Sequence, residues 1–535
     1  MTPPRPERSL AGASASGGCV AGPAHRIVAE TRASRQAGVP AAEAAALAEA
    51  LRAAGEDIRA LRAAEGGVAA DILEFQEVLI EDDELTAPAF AAIAGGAAAD
   101  AAWAACLDRE IAEYAGAGDA YMAARSADLT DLRDRVLRGL GGRAAAVEEA
   151  PDGAVVIAGD LTPSGFLALD WTRLGGAVLA GGSPTSHVAI LARARGVPLA
   201  VGVAGAETVG QGEPVLLDAD EGVLVASPLA ATRVAFEARR NGAVAAAAAA
   251  QTAALMPGRT ADGCRVAVLI NVDDPGLLDG LSPAICDGIG LVRTEFLFEG
   301  GLPDEARQLA AYARVLAWAG GRPVTIRTLD AGGDKPVPGL TMAGEANPFL
   351  GLRGLRLSLV HPQAFRVQLR ALARAAAAGP LKVMVPMVTV PEELEAARAH
   401  LDAAVAELAA EGLAHARPPL GIMVETPAAA LTAASFDADF YSIGSNDLVQ
   451  YVMAAARDNP AVAALAQPLN PGVLELIART VAAGRARGVE VSLCGDMASR
   501  PEMVAALVAA GLTTLSVAPA QVGRVKQALA GVAAG

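Results

Sequence analysis

Between residues 26 and 145, apolar residues recur at three- and four-residue steps with charges between them. PAAEAAALAEALRAAGEDIRALRAAEGG, DILEFQEVLIEDDEL and YMAARSADLTDLRDRVLRGLGG are the clearest stretches. That spacing predicts amphipathic helices. From residue 150 to 225 the period changes. GAVVIAGDL, LGGAVLAG, PLAVGV and PVLLDADEGVLVAS are short β-rich runs with glycine turns between them, and a single short helical pattern, HVAILARAR, lies among them. These runs predict a small α/β domain. The alanine-rich segment at 231–258 then reads as one long connecting helix.

From about residue 260 onward, strand and helix patterns alternate. The strand candidates are RVAVLINV, GIGLVR, PVTIRTL, LKVMVPM, LGIMVE, DFYSIG, VEVSLCG and TLSVA. Eight units predict a (β/α)8 barrel of the TIM type. The same alternation would suit an open doubly wound sheet, but no G-x-G-x-x-G follows the first strand. Polar residues stand at or just after the strand C-terminal ends: Asn271, Arg293, Arg327 with Asp330, Glu425, Asn446 with Asp447, and Cys494. A barrel of this kind carries its chemistry there.

Composition narrows the classes. The chain has 535 residues, 53% of them apolar, and a net charge of −17. The acidic balance argues against nucleic-acid binding as the main function. Five cysteines, Cys19, Cys106, Cys264, Cys286 and Cys494, are scattered with no C-x-x-C spacing. That fits a reducing cytoplasm and offers no zinc site. The first residues lack the apolar core of a secretory leader. The most apolar run, AVAAAAAAQTAALM, is alanine-dominated and shorter than a membrane span requires.

Of the five histidines, His187 is set apart by its surroundings in GGSPTSHVAILARARGVP. Thr185 and Ser186 are good N-cap residues, and Gly196 with Pro198 marks a stop. His187 is therefore expected in the first turn of a helix, where unpaired N–H groups and the dipole favour an anion such as phosphate. Taken alone, the pattern fits equally a histidine that caps a helix and packs. At the barrel mouth, Arg293, Arg327 and Arg457 offer forks that match phosphate oxygens. Glu425 and Asp447 are oxygen ligands suited to Mg2+, and Asn446 adds a neutral donor. Cys494 is placed to move a proton, although buried cysteines are often inert. Together these residues point to a small phosphorylated, carboxylate-bearing ligand held with a metal.

GGSPTSHVAILARARGVP, GIGLVRTEFLF, RTLDAGGDK, NPFLGLRGLR, MVPM, GIMVETPAAA, FYSIGSNDLVQY and LCGDMAS occur in this order. The set resembles the motifs of enzyme I of the bacterial phosphoenolpyruvate-dependent phosphotransferase system, and the resemblance covers nearly the whole chain. It implies a phosphohistidine α/β swivelling domain at 1–25 and 146–228. A helical domain at 26–145 would be inserted in it and dock the phosphocarrier protein HPr. A linker helix at 229–258 would lead to a phosphoenolpyruvate-binding barrel at 259–535 that forms a homodimer.

The resemblance further implies that His187 is the nucleophile and becomes phosphohistidine. Arg293, Arg327 and Arg457 would hold phosphoenolpyruvate, with Arg353, Asn446 and Lys335 nearby. Glu425 and Asp447 would ligate Mg2+, and Cys494 would protonate the enolate of pyruvate. Three positions depart from the family pattern: Ser183 is extra before Pro184, Ala456 replaces an aspartate, and Asp496 replaces a glutamate. Two other readings stand beside this one. A dikinase or phosphoenolpyruvate synthase would need a large ATP-binding domain with a glycine-rich loop before residue 150. A catalytically silent, phosphoenolpyruvate-sensing paralogue would have lost His187, Cys494 or the metal carboxylates, and all are present. Because one histidine must reach two targets, hinges are expected near 225–235 and 255–262.

Overall fold

The computed structural model describes residues 6–27, 35–64, 68–116, 120–141, 150–298, 301–333, 335–342, 344–456, 459 and 461–533. The chain divides into two compact units, Met1–Gly242 and Ala243–Gly535.

The first unit holds an eight-stranded mixed sheet of β1 (Arg8–Ala11), β2 (Ala13–Ser16), β3 (Cys19–Ile27), β4 (Val155–Ala158), β5 (Gly176–Leu179), β6 (Leu199–Val201), β7 (Pro214–Asp218) and β8 (Val223–Ala226). Its order is β1-β8-β7-β3-β4-β5-β6-β2. Strands β3 to β6 run parallel, and the flanking pairs are antiparallel. The central strands β4 and β5 are buried along their whole length, as parallel strands covered on both faces are. Between β3 and β4 the chain forms α1 (Pro40–Ala64), α2 (Val68–Ile80), α3 (Asp83–Ala94), α4 (Ala99–Gly116) and α5 (Ala120–Gly141). The helical pattern read from residue 26 starts later than expected. Strand β3 continues to Ile27 because its ladder with β4 runs from Ala24↔Val155 to Ile27↔Ala158. Helices α6 (Pro163–Leu167) and α7 (His187–Arg195) lie among the strands. One buried core joins both parts through Leu47, Trp103, Leu132, Phe166 and Leu191.

Helix α8 (Ala230–Ala254) follows β8, a little shorter than the segment read as a linker. Ser227, just before it, takes a left-handed φ of 50°.

The second unit is a closed barrel of eight parallel strands, as the alternation predicts: β9 (Ala267–Val272), β10 (Ile289–Val292), β11 (Val324–Arg327), β12 (Leu381–Val385), β13 (Leu420–Val424), β14 (Phe440–Gly444), β15 (Glu490–Cys494) and β16 (Thr514–Val517). Outside it run α9 (Glu305–Ala319), α10 (Leu355–Val360), α11 (Pro362–Ala376), α12 (Pro391–Ala410), α13 (Pro427–Leu431), α14 (Ser445–Met453), α15 (Pro471–Arg487), α16 (Asp496–Ser499), α17 (Val504–Ala509) and α18 (Val522–Ala530). Valines, leucines and isoleucines of strands and helices form one core between the two rings. Inside the barrel, Leu291, Met384, Met423, Phe440 and Cys494 form a separate small cluster. No helix among the described residues is long and apolar enough to cross a membrane.

Candidate active site

Two clusters carry chemistry, one in each unit. In the first, Ser186 caps α7 and its side chain accepts from the Ala189 N–H. Gly196 closes the helix in the left-handed conformation at φ 64°, which suits glycine. His187 is the first residue of the helix, as its sequence predicts. Its Nδ1 lies 2.9 Å from Oδ1 of Asp128 on α5, and its side chain is 16% exposed while that of Asp128 is fully buried. A carboxylate only accepts, so Nδ1 carries the proton and the Nε2 lone pair is left for another partner.

One turn further along α5, Asp131 is buried as well. It accepts from Gln76 Nε2 at 3.0 Å and from the Ser164 N–H at 3.0 Å, and the Ser164 hydroxyl also donates to it. Asp131 thus fastens α5 to α2 and α6, which fixes where Asp128 stands. Sequence reading missed both aspartates. The signal available was their i, i+3 spacing beside Leu129 and Leu132, which puts charge on the buried face of a helix.

In the second cluster, a cavity is lined by Arg293, Arg327, Lys335, Glu425, Asn446, Asp447 and Cys494. Seven of the predicted residues therefore meet at the C-terminal mouth of the barrel. Six of them are the last residue of a strand or lie just beyond one, and Lys335 comes from the loop that follows β11, so the barrel itself converges them.

The cations are held by acids around the rim. Arg293 donates to Asp273 at 2.8 Å. Arg327 pairs with Glu295 at 2.5 Å and with Asp330 at 3.1 Å. Lys335 lies 3.4 Å from Asp330 and 3.7 Å from Glu295. Burial alone would raise the Asp330 carboxyl, but Arg327, Arg353 and Lys335 hold it well below the usual carboxylate range.

Arg353 is placed differently from the other predicted residues. It is fully buried and does not line the cavity. Its Nε and Nη2 donate to the two oxygens of Asp330, both at 3.0 Å. Its Nη1 and Nη2 donate to Asp447 at 2.8 and 3.1 Å. It clamps the two carboxylates together. Arg457 lies outside the described residues.

Glu425 is buried, and one of its oxygens accepts from the Met387 N–H at 2.6 Å. Met387 holds that amide in place with a left-handed φ of 58°, an uncommon conformation outside glycine. Burial, with Asp447 and Asp330 adding negative charge, pushes the Glu425 carboxyl up to about 8. Gly444 stands beside it, where an added Cβ would meet Glu425 Oε2 at 2.8 Å. Two hard oxygen donors, repelling one another at one wall of a polar cavity, fit a divalent cation that keeps part of its water.

Cys494 is buried at the cavity floor, and burial pushes its thiol up. Its Sγ donates to the Ile443 carbonyl at 3.5 Å and lies 3.7 Å from Ser442 Oγ. Gly495 follows at φ 97°, where a Cβ would come within 2.4 Å of Ser445 Oγ, so only glycine fits. Asn446 accepts from the Asp496 N–H at 2.9 Å through Oδ1, which leaves its NH2 as the donor.

Residues 247–534 match the family described as PEP-utilising enzyme, PEP-binding domain; residues 150–222 match the mobile domain, and residues 11–125 the N-terminal domain. The chain is 44% identical over 423 residues to a phosphoenolpyruvate-protein phosphotransferase of Haloferax volcanii, covering 76% of this chain and 73% of that one. It is 40% identical over 493 residues to one of Streptomyces coelicolor, covering 90% and 85%. A multiphosphoryl transfer protein of Rhodobacter capsulatus is 38% identical over 470 residues, covering 87% of this chain and 56% of that protein.

Proposed function

The chain belongs to the phosphoenolpyruvate-protein phosphotransferase family, transferases that take the phosphoryl group of phosphoenolpyruvate, and on that premise we propose which residues carry each part of the reaction. Phosphoenolpyruvate binds in the barrel-mouth cavity with its phosphate and carboxylate against Arg293 and Arg327. Lys335 and the amide of Asn446 complete its hydrogen bonds, and Arg457 belongs to the same set. Arg353 acts on the ligand only through Asp447 and Asp330.

Glu425 and Asp447 would hold Mg2+, which when bound supplies positive charge against the oxygens of the ligand. The Nε2 atom of His187 attacks phosphorus as the bond from phosphorus to the enol oxygen breaks, and the electron pair leaves with that oxygen. Cys494, kept as a thiol by its burial, gives its proton to the methylene carbon, and pyruvate departs. Asp128 holds the proton on Nδ1 and steadies the ring throughout. The phosphoryl group then passes from His187 to a histidine of a phosphocarrier of the HPr type.

The observation that carries this reading is the single cavity in which Arg293, Arg327 and Lys335 face Glu425, Asp447 and a buried thiol. Two copies are taken to pair through the barrel. Leu350, Val390, Leu431 and Leu465 are exposed in the segments that follow β11 to β14, which supports such a pairing. All five cysteines are free, as a reducing compartment such as the cytoplasm leaves them. The test is to incubate the protein with labelled phosphoenolpyruvate, with Mg2+ or with chelator, and then to offer HPr-type carriers. Metal-dependent labelling that is discharged by a carrier is expected. Equal labelling in chelator would remove the metal from the reaction, and no labelling at all would overturn the reading.

A further inference from the structure

We propose that Gln368, on the outer helix α11, is a positioning residue that fixes Arg293 and Arg327 relative to one another. This rests on the assignment of those two arginines to phosphoenolpyruvate.

Gln368 is 1% exposed and sits on the apolar stripe of α11 with Phe365, Leu369 and Leu372. An amide there is costly unless its polar atoms find partners. Both ends do. Oε1 accepts from the Leu329 N–H at 3.0 Å. Nε2 donates to Thr294 Oγ1 and to the Tyr312 hydroxyl, each at 3.3 Å. The Thr294 hydroxyl donates in turn to the Arg327 carbonyl at 3.1 Å. The Tyr312 hydroxyl donates to Gln308 Oε1 at 3.0 Å, and Gln308 Nε2 to the Pro303 carbonyl at 3.2 Å.

Every proton in this buried chain has one direction, because both hydroxyls already donate elsewhere. Only a group that accepts once and donates twice fits at position 368, which is the inventory of glutamine.

The place matters as much as the chemistry. The ladder between β10 and β11 ends with Val292↔Ile326. Beyond it, Gln368 grips the residue after Arg293 through Thr294, the carbonyl of Arg327 through that same threonine, and the N–H of Leu329. It therefore joins the two strand ends where the sheet no longer does. Small errors in the placement of anion-binding groups weaken binding steeply.

The test measures phosphoenolpyruvate KM and kcat in the full chain, with melting temperature alongside, for Q368L, Q368E, T294V and T294S. Q368L, Q368E and T294V are each expected to raise KM by about 10-fold with kcat changed far less, the signature of lost binding alone. Q368E is included because it keeps the shape and loses the two donors. T294S keeps the hydroxyl and is expected to match the wild type. The Q368L/T294V double variant is expected to raise KM by less than the product of the two single effects, since the two residues share the bond from Gln368 Nε2 to Thr294 Oγ1.

R327A serves as the control for the assignment. If R327A leaves KM unchanged, the assignment and this proposal fall together. If R327A raises KM while folded Q368L leaves it unchanged, the proposal alone is overturned. If Q368L does not fold, the threonine pair decides: equal KM in T294V and T294S overturns the proposal, and a rise in T294V alone supports it. A fall in melting temperature with unchanged KM would mean that the chain of hydrogen bonds only stabilises the barrel.

Discussion

Asp128 Oδ1 lies 2.9 Å from His187 Nδ1, although the two residues are 59 positions apart and belong to different helices. A ring held at Nδ1 presents Nε2 as its nucleophile, and its carboxylate partner steadies the ring as charge develops on it. D128A should therefore slow phosphorylation of His187 by about 10- to 1,000-fold, less than loss of the histidine itself. Rapid-quench measurement with labelled phosphoenolpyruvate reads the rate. The final extent of labelling should change little. A D128A protein that labels at the wild-type rate would remove Asp128 from the reaction.

Asp330 is fully buried among Arg327, Arg353 and Lys335. Removing one partner from a buried charge network leaves the others uncompensated, and D330A should cost about 3–5 kcal/mol of barrel stability. Its carboxyl is held below the ordinary range, so this stability is present above the unfolded value and is lost as pH falls through the folded one. Urea midpoints of wild type and D330A should differ widely near neutral pH and converge in acid. Parallel curves at all pH values would contradict this.

Glu425 titrates in the opposite sense. Its carboxyl sits at about 8 in the folded chain against an ordinary 4.5. Between those values the native state keeps a proton that the unfolded chain has lost, so the contribution of Glu425 to stability declines as pH rises through that window. In chelator, wild type should lose stability relative to E425Q from about pH 5 to 8, and Mg2+ should restore it to wild type only. As the metal ligand proposed above, Glu425 must lose that proton to bind, so metal affinity should rise with pH over this window. A difference between the two proteins that does not vary with pH would contradict the assignment.

Cys494 keeps its proton because it is buried. C494A should lower pyruvate formation by about 100- to 10,000-fold, the usual worth of a general acid. KM for phosphoenolpyruvate should stay close to wild type, since the role proposed for the thiol is toward a carbon and not toward an anion. Unchanged pyruvate formation would mean that the proton comes from elsewhere.

The barrel was legible because its strands are buried on both faces and end in a polar residue. LGIMV followed by Glu425 is such a case, and so is VSL followed by Cys494. The His187 helix was legible from its cap and its stop, which are local. Arg353 was legible as a residue near the site but not as a buried clamp. The sequence GLRGLR does not reveal that Asp330 and Asp447 turn the guanidinium inward. Asp128 was missed because its partner is reached through tertiary packing, which helical periodicity does not encode. The end of β3 at Ile27 was missed for the same reason: its last residues are held by pairing with β4 rather than by their own propensity. Gln368 left a trace, a polar residue on an apolar stripe, whose meaning depends on what lies opposite.

His187 is proposed as the residue through which phosphate passes, by its Nε2 atom. The direct measurement is to phosphorylate the protein with labelled phosphoenolpyruvate and Mg2+, and to locate the label by peptide mass spectrometry with nitrogen-resolved NMR of the phosphohistidine. One acid-labile, base-stable phosphate per chain is predicted, on Nε2 of His187, and none on H187A. Label on another residue, label on Nδ1, or wild-type labelling of H187A would contradict the account.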